Sequence, residues 1–423
     1  MIAAYARWVI RFRWWIIVGG LAATAVAGSG AQYLRFNNDY RVFFSEQNPQ
    51  LLAFDALQNT YSTNDNVLFL IVPKDGEVFT RETLASVERL TKAAWQLPYV
   101  KRVDSITNFQ FSRARGDELV VSDLIENASA LSAEQIAQAR AVALAEPLLP
   151  HRLISPQAHV TAVNATIVVP GKTLDEVPEV MAHARKLVAE ARAQNANIDV
   201  VMTGGVVIDN AFGEHARKDM MTLTPIMYGL IILVTFALLR SVSATFATVA
   251  VIALAATTAM GLSGWIGIEL TSPSVGAPTV ILTLAVAHSI HVLITILQGL
   301  RGGKTKEEAI AEGLKLNMYP IFLATLTDVI GFLSMNTSEV PPFRDLGNII
   351  TLGVIAAYLG AIAFLPALMA VLPVRVRQTP REQTPFMDTI ANFVIRRRMP
   401  LLLGMSALVL ALVVQIPRNE LND

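Results

Sequence analysis

The 423-residue chain contains no cysteine. Disulfides, thiolate zinc sites and a cysteine nucleophile are therefore excluded, while the compartment is left open. Charge is also scarce. Asp, Glu, Lys and Arg make up 16% of the residues, against about 25% in an average soluble domain. Acidic and basic residues balance at 34 each, so no net field favours nucleic acid. Histidine occurs six times. No nucleophile–base pair, metal-ligand spacing or phosphate loop stands out, which removes the usual grounds for an enzyme or a bound cofactor. What the chain has instead is apolar length: 53% of its residues are hydrophobic.

Seven runs are long enough to cross a bilayer, which takes about 20 apolar residues at 1.5 Å rise. They are Trp14–Leu34, Leu223–Leu239, Ala244–Ile268, Ser274–Leu300, Met318–Met335, Ile349–Leu372 and Pro400–Ile416. Residues 35–221, between the first two, have ordinary soluble composition; the other connections are short. Lys and Arg collect in alternate loops: Arg7, Arg11 and Arg13; Arg240; Arg301, Lys304, Lys306 and Lys315; Arg375, Arg377, Arg381 and Arg396–Arg398. The intervening loops hold only Arg344. The positive-inside rule then puts the N-terminus in the cytoplasm and residues 35–221 outside. Trp14 and Trp15 are placed as interface anchors. A cleaved signal peptide is the competing reading of the start.

The outer region alternates strand and helix patterns. Strands are expected at Asn66–Pro73, Val100–Thr107, Val160–Val169 and Ile198–Thr203. Helices are expected at Thr80–Leu97, with Leu84, Val87, Leu90 and Ala94 on one face, at Ser132–Ala145 and at Thr173–Gln194. Without the middle insertion the order is βαβ twice, the split βαβ or ferredoxin-like pattern. Val206–Met221 reads as a helix running into the second span. The fold class is thus a seven-span α-helical bundle with an α+β outer domain. Its parts are a first helix (1–34), the outer domain (35–221), a five-helix bundle (222–373), a basic cytoplasmic linker (374–399) and a seventh helix (400–423). Gly302–Lys315 reads as a short charged helix along the cytoplasmic face, Pro278 and Pro366 as helix bends or ends, and Gly331 as a close-packing position.

Ionisable residues inside a span are costly and usually face a bundle interior, a partner or a water path. The fourth span carries two, His288 and His291, three residues apart and so on one helix face. The fifth carries Asp328. Imidazole titrates near neutral pH, and a nearby carboxylate favours its charged form. His288, His291 and Asp328 are therefore the candidate proton relay, with His288 and Asp328 expected within direct or one-water hydrogen-bonding reach. A neutral histidine tying two helices together is the plainer alternative. His151, His159, His183 and His215 are scattered and read as surface or packing residues.

The two ends of the chain repeat each other. Val9, Ile10, Arg11 and Arg13 match Val394, Ile395, Arg396 and Arg398, each group preceding one span; Asn38-Asp39 and Asn422-Asp423 follow. The seventh span reads as the first of a second copy, with the chain cut short or completed by another polypeptide. At this point the sequence resembles the resistance–nodulation–division (RND) superfamily, in its MMPL-like, hydrophobe-exporter branch. The resemblance is carried by NDYRVFFSEQNP (Asn38–Pro49), AVAHSIHVL (Ala285–Leu293), ATLTDVIGFLSM (Ala324–Met335), SEVPPFRDLG (Ser338–Gly347) and FLPALM (Phe364–Met369). The second to sixth helices also resemble a sterol-sensing domain.

The resemblance implies a proton-coupled exporter of hydrophobic or amphipathic molecules such as lipids, in a bacterial inner membrane. Its partner would be a second half-repeat, on the same or another polypeptide, or a homo-oligomer. It implies no cofactor. The sequence departs from the family pattern at His288, where the fourth helix ordinarily carries a coupling Asp. A non-transporting lipid sensor or scaffold is the alternative reading. The orientation is testable in this Cys-free chain: a cysteine introduced near Gly116 should react with an impermeant reagent from the outer side. Labelling from the cytoplasmic side alone would reverse the topology.

Overall fold

A computed structural model of the chain describes residues 2–37, 39–60, 65–115, 118–170, 173, 175–374 and 385–419. Gly116, Arg375, Arg377, Arg381, Asn38 and Asn422-Asp423 lie outside them. Among the described residues seven helices are long and apolar enough to cross a membrane.

The chain opens with α1 (Ile2–Arg11), whose apolar positions Ala6, Val9 and Ile10 fall on one buried face. A single non-helical residue, Phe12, separates it from α2 (Arg13–Gly28). This first span ends in a tighter turn at Ser29–Tyr33. α3 (Pro49–Thr60) precedes the first strand of the outer domain. In β1 (Asn66–Pro73) buried and half-buried residues alternate, as a strand with one covered face requires. α4 (Arg81–Ala94) is capped by Thr80, whose hydroxyl accepts from Thr83 N, and buries Leu84, Val87, Leu90 and Ala94. β2 (Val100–Ser105), β3 (Gln110–Arg115) and β4 (Glu118–Asp123) follow. Ser132 and Gln135 form a reciprocal capping box at the start of α5 (Ala133–Ala145). β5 (Thr161–Ile167), α6 (Glu176–Gln194) and β6 (Ile198–Thr203) complete the domain.

The main sheet has the order β2-β5-β1-β6 with every neighbouring pair antiparallel. Counting these four strands along the chain, that is second, third, first, fourth, the ferredoxin-like arrangement expected. One face is covered by α4 and α6. Val67, Phe69 and Ile71 of β1 meet Leu84, Val87, Val180 and Ala184 there. Sequence patterning did not foresee the β3–β4 hairpin, which pairs only with itself.

α7 (Gly205–Leu239) runs unbroken from the outer domain to the far end of the second span. At 35 residues it is about 50 Å long. It starts at Gly204, whose φ of +118° suits only glycine, and a Cβ there would meet the Asn66 carbonyl. Arg240, in the left-handed conformation, turns the chain into α8 (Val242–Trp265), capped by Ser241. α9 (Ala277–Arg301) carries Pro278 in its first turn, where no hydrogen bond is lost. α10 (Lys306–Leu333) is capped by the Thr305–Glu308 box. α11 (Pro341–Leu359), a π-turn at Gly360–Phe364 and α12 (Leu365–Val371) make up the sixth span, with Pro366 just past the irregularity. α13 (Pro385–Arg396) and α14 (Arg398–Val413) close the described chain.

Two expectations change. The charged stretch Gly302–Lys315 is not a separate surface helix. From Lys306 it is the first part of α10, because Ala309, Ile310, Gly313 and Leu314 continue that helix's buried side. Gly331 is not a packing contact: nothing lies within 4 Å of where its Cβ would be. Part of the expected linker is also helical, as α13. The α13–α14 pair repeats the helix, one-residue break and helix of α1–α2, with breaks at Arg397 and Phe12.

In the bundle α8, α9, α10 and α11 pack against one another, and α2 lies along α8. The α2–α8 contact is a backbone approach. A Cβ on Gly261 would strike the Ala27 carbonyl, and one on Gly264 the Gly30 carbonyl. Lipid supplies no hydrophobic drive between helices, so such small-residue contacts hold them together. α7 touches the bundle lightly, and no residue of α14 is buried. Gly261→Ala should therefore destabilise the protein in detergent by about 1–3 kcal/mol through overpacking. Gly229→Ala, where nothing lies within 4 Å, should leave the melting temperature unchanged. Equal melting of the two variants would contradict this packing.

Candidate functional site

The site is built on the seam between α9 and α10. Near its loop end the seam is set by glycine and one amide. Gly299 sits against Ala309, and Gly313 against Ile296 and the Val292 carbonyl. Asn317 Nδ2 donates to Thr295 Oγ1 at 2.8 Å and to the Gly313 carbonyl at 2.9 Å. These pairings run in opposite directions along the two helices. Carried onward, the register puts position 288 roughly level with 321–324, and position 328 about one turn beyond.

His288 is 4% exposed, and its Nδ1 has no hydrogen-bond partner among the described residues. The hydroxyls of Ser289 and Thr325, also buried, share that condition. Sequence reading passed over both, because a lone Ser or Thr in an apolar helix ordinarily bonds to its own backbone. Asn317, a full amide amid apolar residues, was the legible signal of the clasp. Asp328 is half-buried and makes no hydrogen bond or ion pair among the described residues. The structure thus places His288 and Asp328 on adjacent helices but does not join them directly. The offset in register is the reason.

His291 shares a face with Thr283 and Ala287 rather than with the core, and all three are exposed on the outside of α9. Beside them, Ala324 and Gly331 of α10 are exposed, and Asn317 and Asp328 are half-buried. A strip of small, polar and ionisable side chains therefore runs up one flank of the bundle. Lipid is a poor solvent for such a strip.

A second polar cluster joins the outer domain to the bundle. Phe36 pairs with Leu270 as a short parallel bridge, with Asn37 N and Leu270 N donating to Leu270 O and Arg35 O at 2.7 Å each. Asn37 Nδ2 reaches Glu269 at 2.9 Å. A few residues on, Arg41 lies 3.1 Å from Asp39, 3.8 Å from Asp55 and 3.9 Å from Asp65, and donates to Gln58 at 2.6 Å. Burial pushes the Asp65 carboxyl above its usual range, a shift that Arg41 only partly opposes. Asp65 and Asn66 adjoin Gly204-Gly205 at the base of α7. Both connections between domain and bundle therefore meet at one place. The histidines of the outer domain make local contacts: His159 with Ser155, His183 with the Glu179 carbonyl and His215 with the Ala211 carbonyl. Among the described residues no three His, Asp or Glu side chains converge as metal ligands would.

Seven candidate spans, an α+β domain with a four-stranded antiparallel sheet and ionisable residues on the fourth and fifth spans define a multi-pass membrane protein. The MMPL family model matches residues 109–400, well over half of the chain, and the chain belongs to that family within the RND superfamily. No curated protein matches it.

The clasp predicts a measurable coupling. In a double-mutant cycle, Asn317→Ala and Thr295→Ala should interact by about 0.6 kcal/mol, the usual size for a membrane hydrogen bond, with about 1.7 kcal/mol as the ceiling. Strict additivity in unfolding from mixed micelles would show that the bond adds nothing.

Proposed function

We propose that this protein is a proton-coupled RND-type exporter half, working in a bacterial inner membrane on hydrophobic or amphipathic molecules such as lipids. Residues 35–221 would face the periplasm. The observation that carries this reading is the flank formed by α9 and α10. Ionisable groups in a span mark proton or ion paths when they face protein or water. His291 and Asp328 lie along a flank that no helix covers among the described residues, and His288 is buried beside it. A homologous second half, or another copy, would cover the strip and enclose the three groups.

Within that enclosure the histidines would be the proton carriers, because imidazole is the side chain suited to that role. Protonation from the outer side would alter their bonding to Asp328 and to the covering helices. α7 supplies a continuous rod by which a shift in the bundle reaches the outer domain, and the Arg41 cluster anchors the second connection beside its base. The family match supports a membrane protein of this class; the substrate class rests on the family's character alone.

Proton-driven flux in the full assembly tests the reading. His288→Ala and Asp328→Asn should each abolish flux without preventing insertion. His288→Asp combined with Asp328→Thr, which restores the family pattern on the fourth helix, should recover part of it. Unimpaired transport by the His288→Ala protein at every pH from about 5 to about 8, the range in which imidazole titrates, would refute the relay. Wild-type assemblies that bind lipid yet show no flux would favour a sensor.

A further inference from the structure

The end of the bundle remote from the outer domain carries a patch that the transport reading does not use. α1 is pinned there. Ala6, Val9 and Ile10 are buried against the first part of α10 and against α12, and Tyr5 Oη donates to the Ile362 carbonyl at 3.3 Å. The rest of α1 is open. Arg7 and Arg11, four residues apart, share an exposed face. Beside them Tyr5, Trp8 and Phe12 form a ladder of rings with centroids 6.0 and 5.9 Å apart. The Arg11 guanidinium lies 5.6 Å from the Phe12 ring. Trp8 is 50% exposed, and Trp14 and Trp15 in the next turn are 60% and 78% exposed.

The charges here are one-sided. Arg13 opens α2 directly after α1, and Lys306 opens α10, the helix on which α1 packs. Lys306 Nζ donates to the carbonyls of Ala370 and Leu372 at 3.3 and 2.7 Å, which leaves one N–H free for a further acceptor. None of Arg7, Arg11, Arg13 and Lys306 forms an ion pair among the described residues. The carboxylates nearby on α10 are otherwise engaged: Glu308 caps Thr305, and Glu312 pairs with Lys304. Glu307 is exposed and bonds to none of the four. Among the described residues these cations thus have no ion-pair partner, and they lie beside aromatic rings of the kind that sit at headgroup depth.

We propose that α1, the start of α2 and Lys306 form a binding site for an anionic phospholipid. The headgroup phosphate is held between Arg13 and Lys306, with Arg7 and Arg11 extending the positive field, and the acyl chains lie along Trp8, Trp14 and Trp15. Lys306 Nζ spends two of its three N–H groups on carbonyls and Arg13 spends Nη1 on the Ile10 carbonyl at 3.4 Å, so a phosphate would take up the donors that remain. Guanidinium groups suit it best, because their fork matches two oxygens at once. The apolar rings beside the charges argue for an amphiphile over a free anion, and basic pockets at membrane interfaces bind such headgroups. This site does not depend on the transport reading.

Native mass spectrometry of the whole delipidated protein, with phosphatidylglycerol and phosphatidylcholine as probes, tests it. The wild type should retain phosphatidylglycerol in preference. Replacing Arg7, Arg11 and Arg13 together by Gln should weaken that retention roughly tenfold or more, whereas replacing all three by Lys should keep most of it. A cysteine placed in the outer domain reports whether the Gln protein still inserts in the native orientation. If it does not, the pair Arg13→Gln with Lys306→Gln should show the same loss. Equal retention of both lipids by the wild type, or an undiminished preference in the Gln proteins, would overturn the proposal. So would displacement of phosphatidylglycerol by an equal concentration of inorganic phosphate, which would indicate a bare anion site.

Discussion

A polar side chain in hydrocarbon can be satisfied only by protein or by water carried in with it, and this constraint shapes the membrane half of the molecule. Most polar groups in the spans meet it locally. Thr248, Ser263 and Thr351 each donate to the carbonyl four residues before them. Asn317 meets it by reaching across to Thr295, and so sets the register between α9 and α10. His288 Nδ1 and the hydroxyls of Ser289 and Thr325 do not meet it among the described residues. The exceptions fall on the two helices that carry the candidate relay. A residue kept buried at such cost calls for a reason beyond packing.

The same constraint distinguishes the flanks. Where the bundle is self-sufficient its contacts are small and apolar, as where Gly261 and Gly264 let the backbone of α2 approach α8. Where α9 and α10 turn outward, Thr283, His291 and Asp328 interrupt the apolar surface. α7 and α14 expose Leu, Ile and Val instead, which lipid tolerates. The distribution of polar groups therefore separates an apolar surface on α7 and α14 from a more polar one on α9 and α10.

The outer domain is governed by water-soluble rules and is joined to the bundle economically. Its sheet closes on a single apolar face against α4 and α6, and its two connections to the membrane converge beside Asp65, Asn66 and Gly204. Arg41 holds several carboxylates and an amide together at that point. The first connection and the base of α7 are therefore in contact through Asp65 and Asn66.

Much of this was readable from local pattern. The seven spans follow from apolar run length. The strands Asn66–Pro73 and Ile198–Thr203 and the buried stripe of α4 follow from periodicity, and the cap at Ser132 from its side-chain chemistry. The kinship of Val9–Arg13 with Val394–Arg398 reappears as the same break between helices. These properties reside in a few consecutive residues, so tertiary context had little to alter. Three things were decided only by the fold. The charged segment from Lys306 joined α10 because one of its sides had α9 and α1 to bury against. Gly331 faced open space because its side of α10 meets no neighbour. His288 and Asp328, each correctly placed in a span, were left unjoined because the depth at which two helices meet depends on side chains elsewhere. Here those are Gly299, Gly313 and Asn317, one to several turns away. Residue type and span membership belong to the sequence, whereas register and rotation between helices belong to the packed bundle.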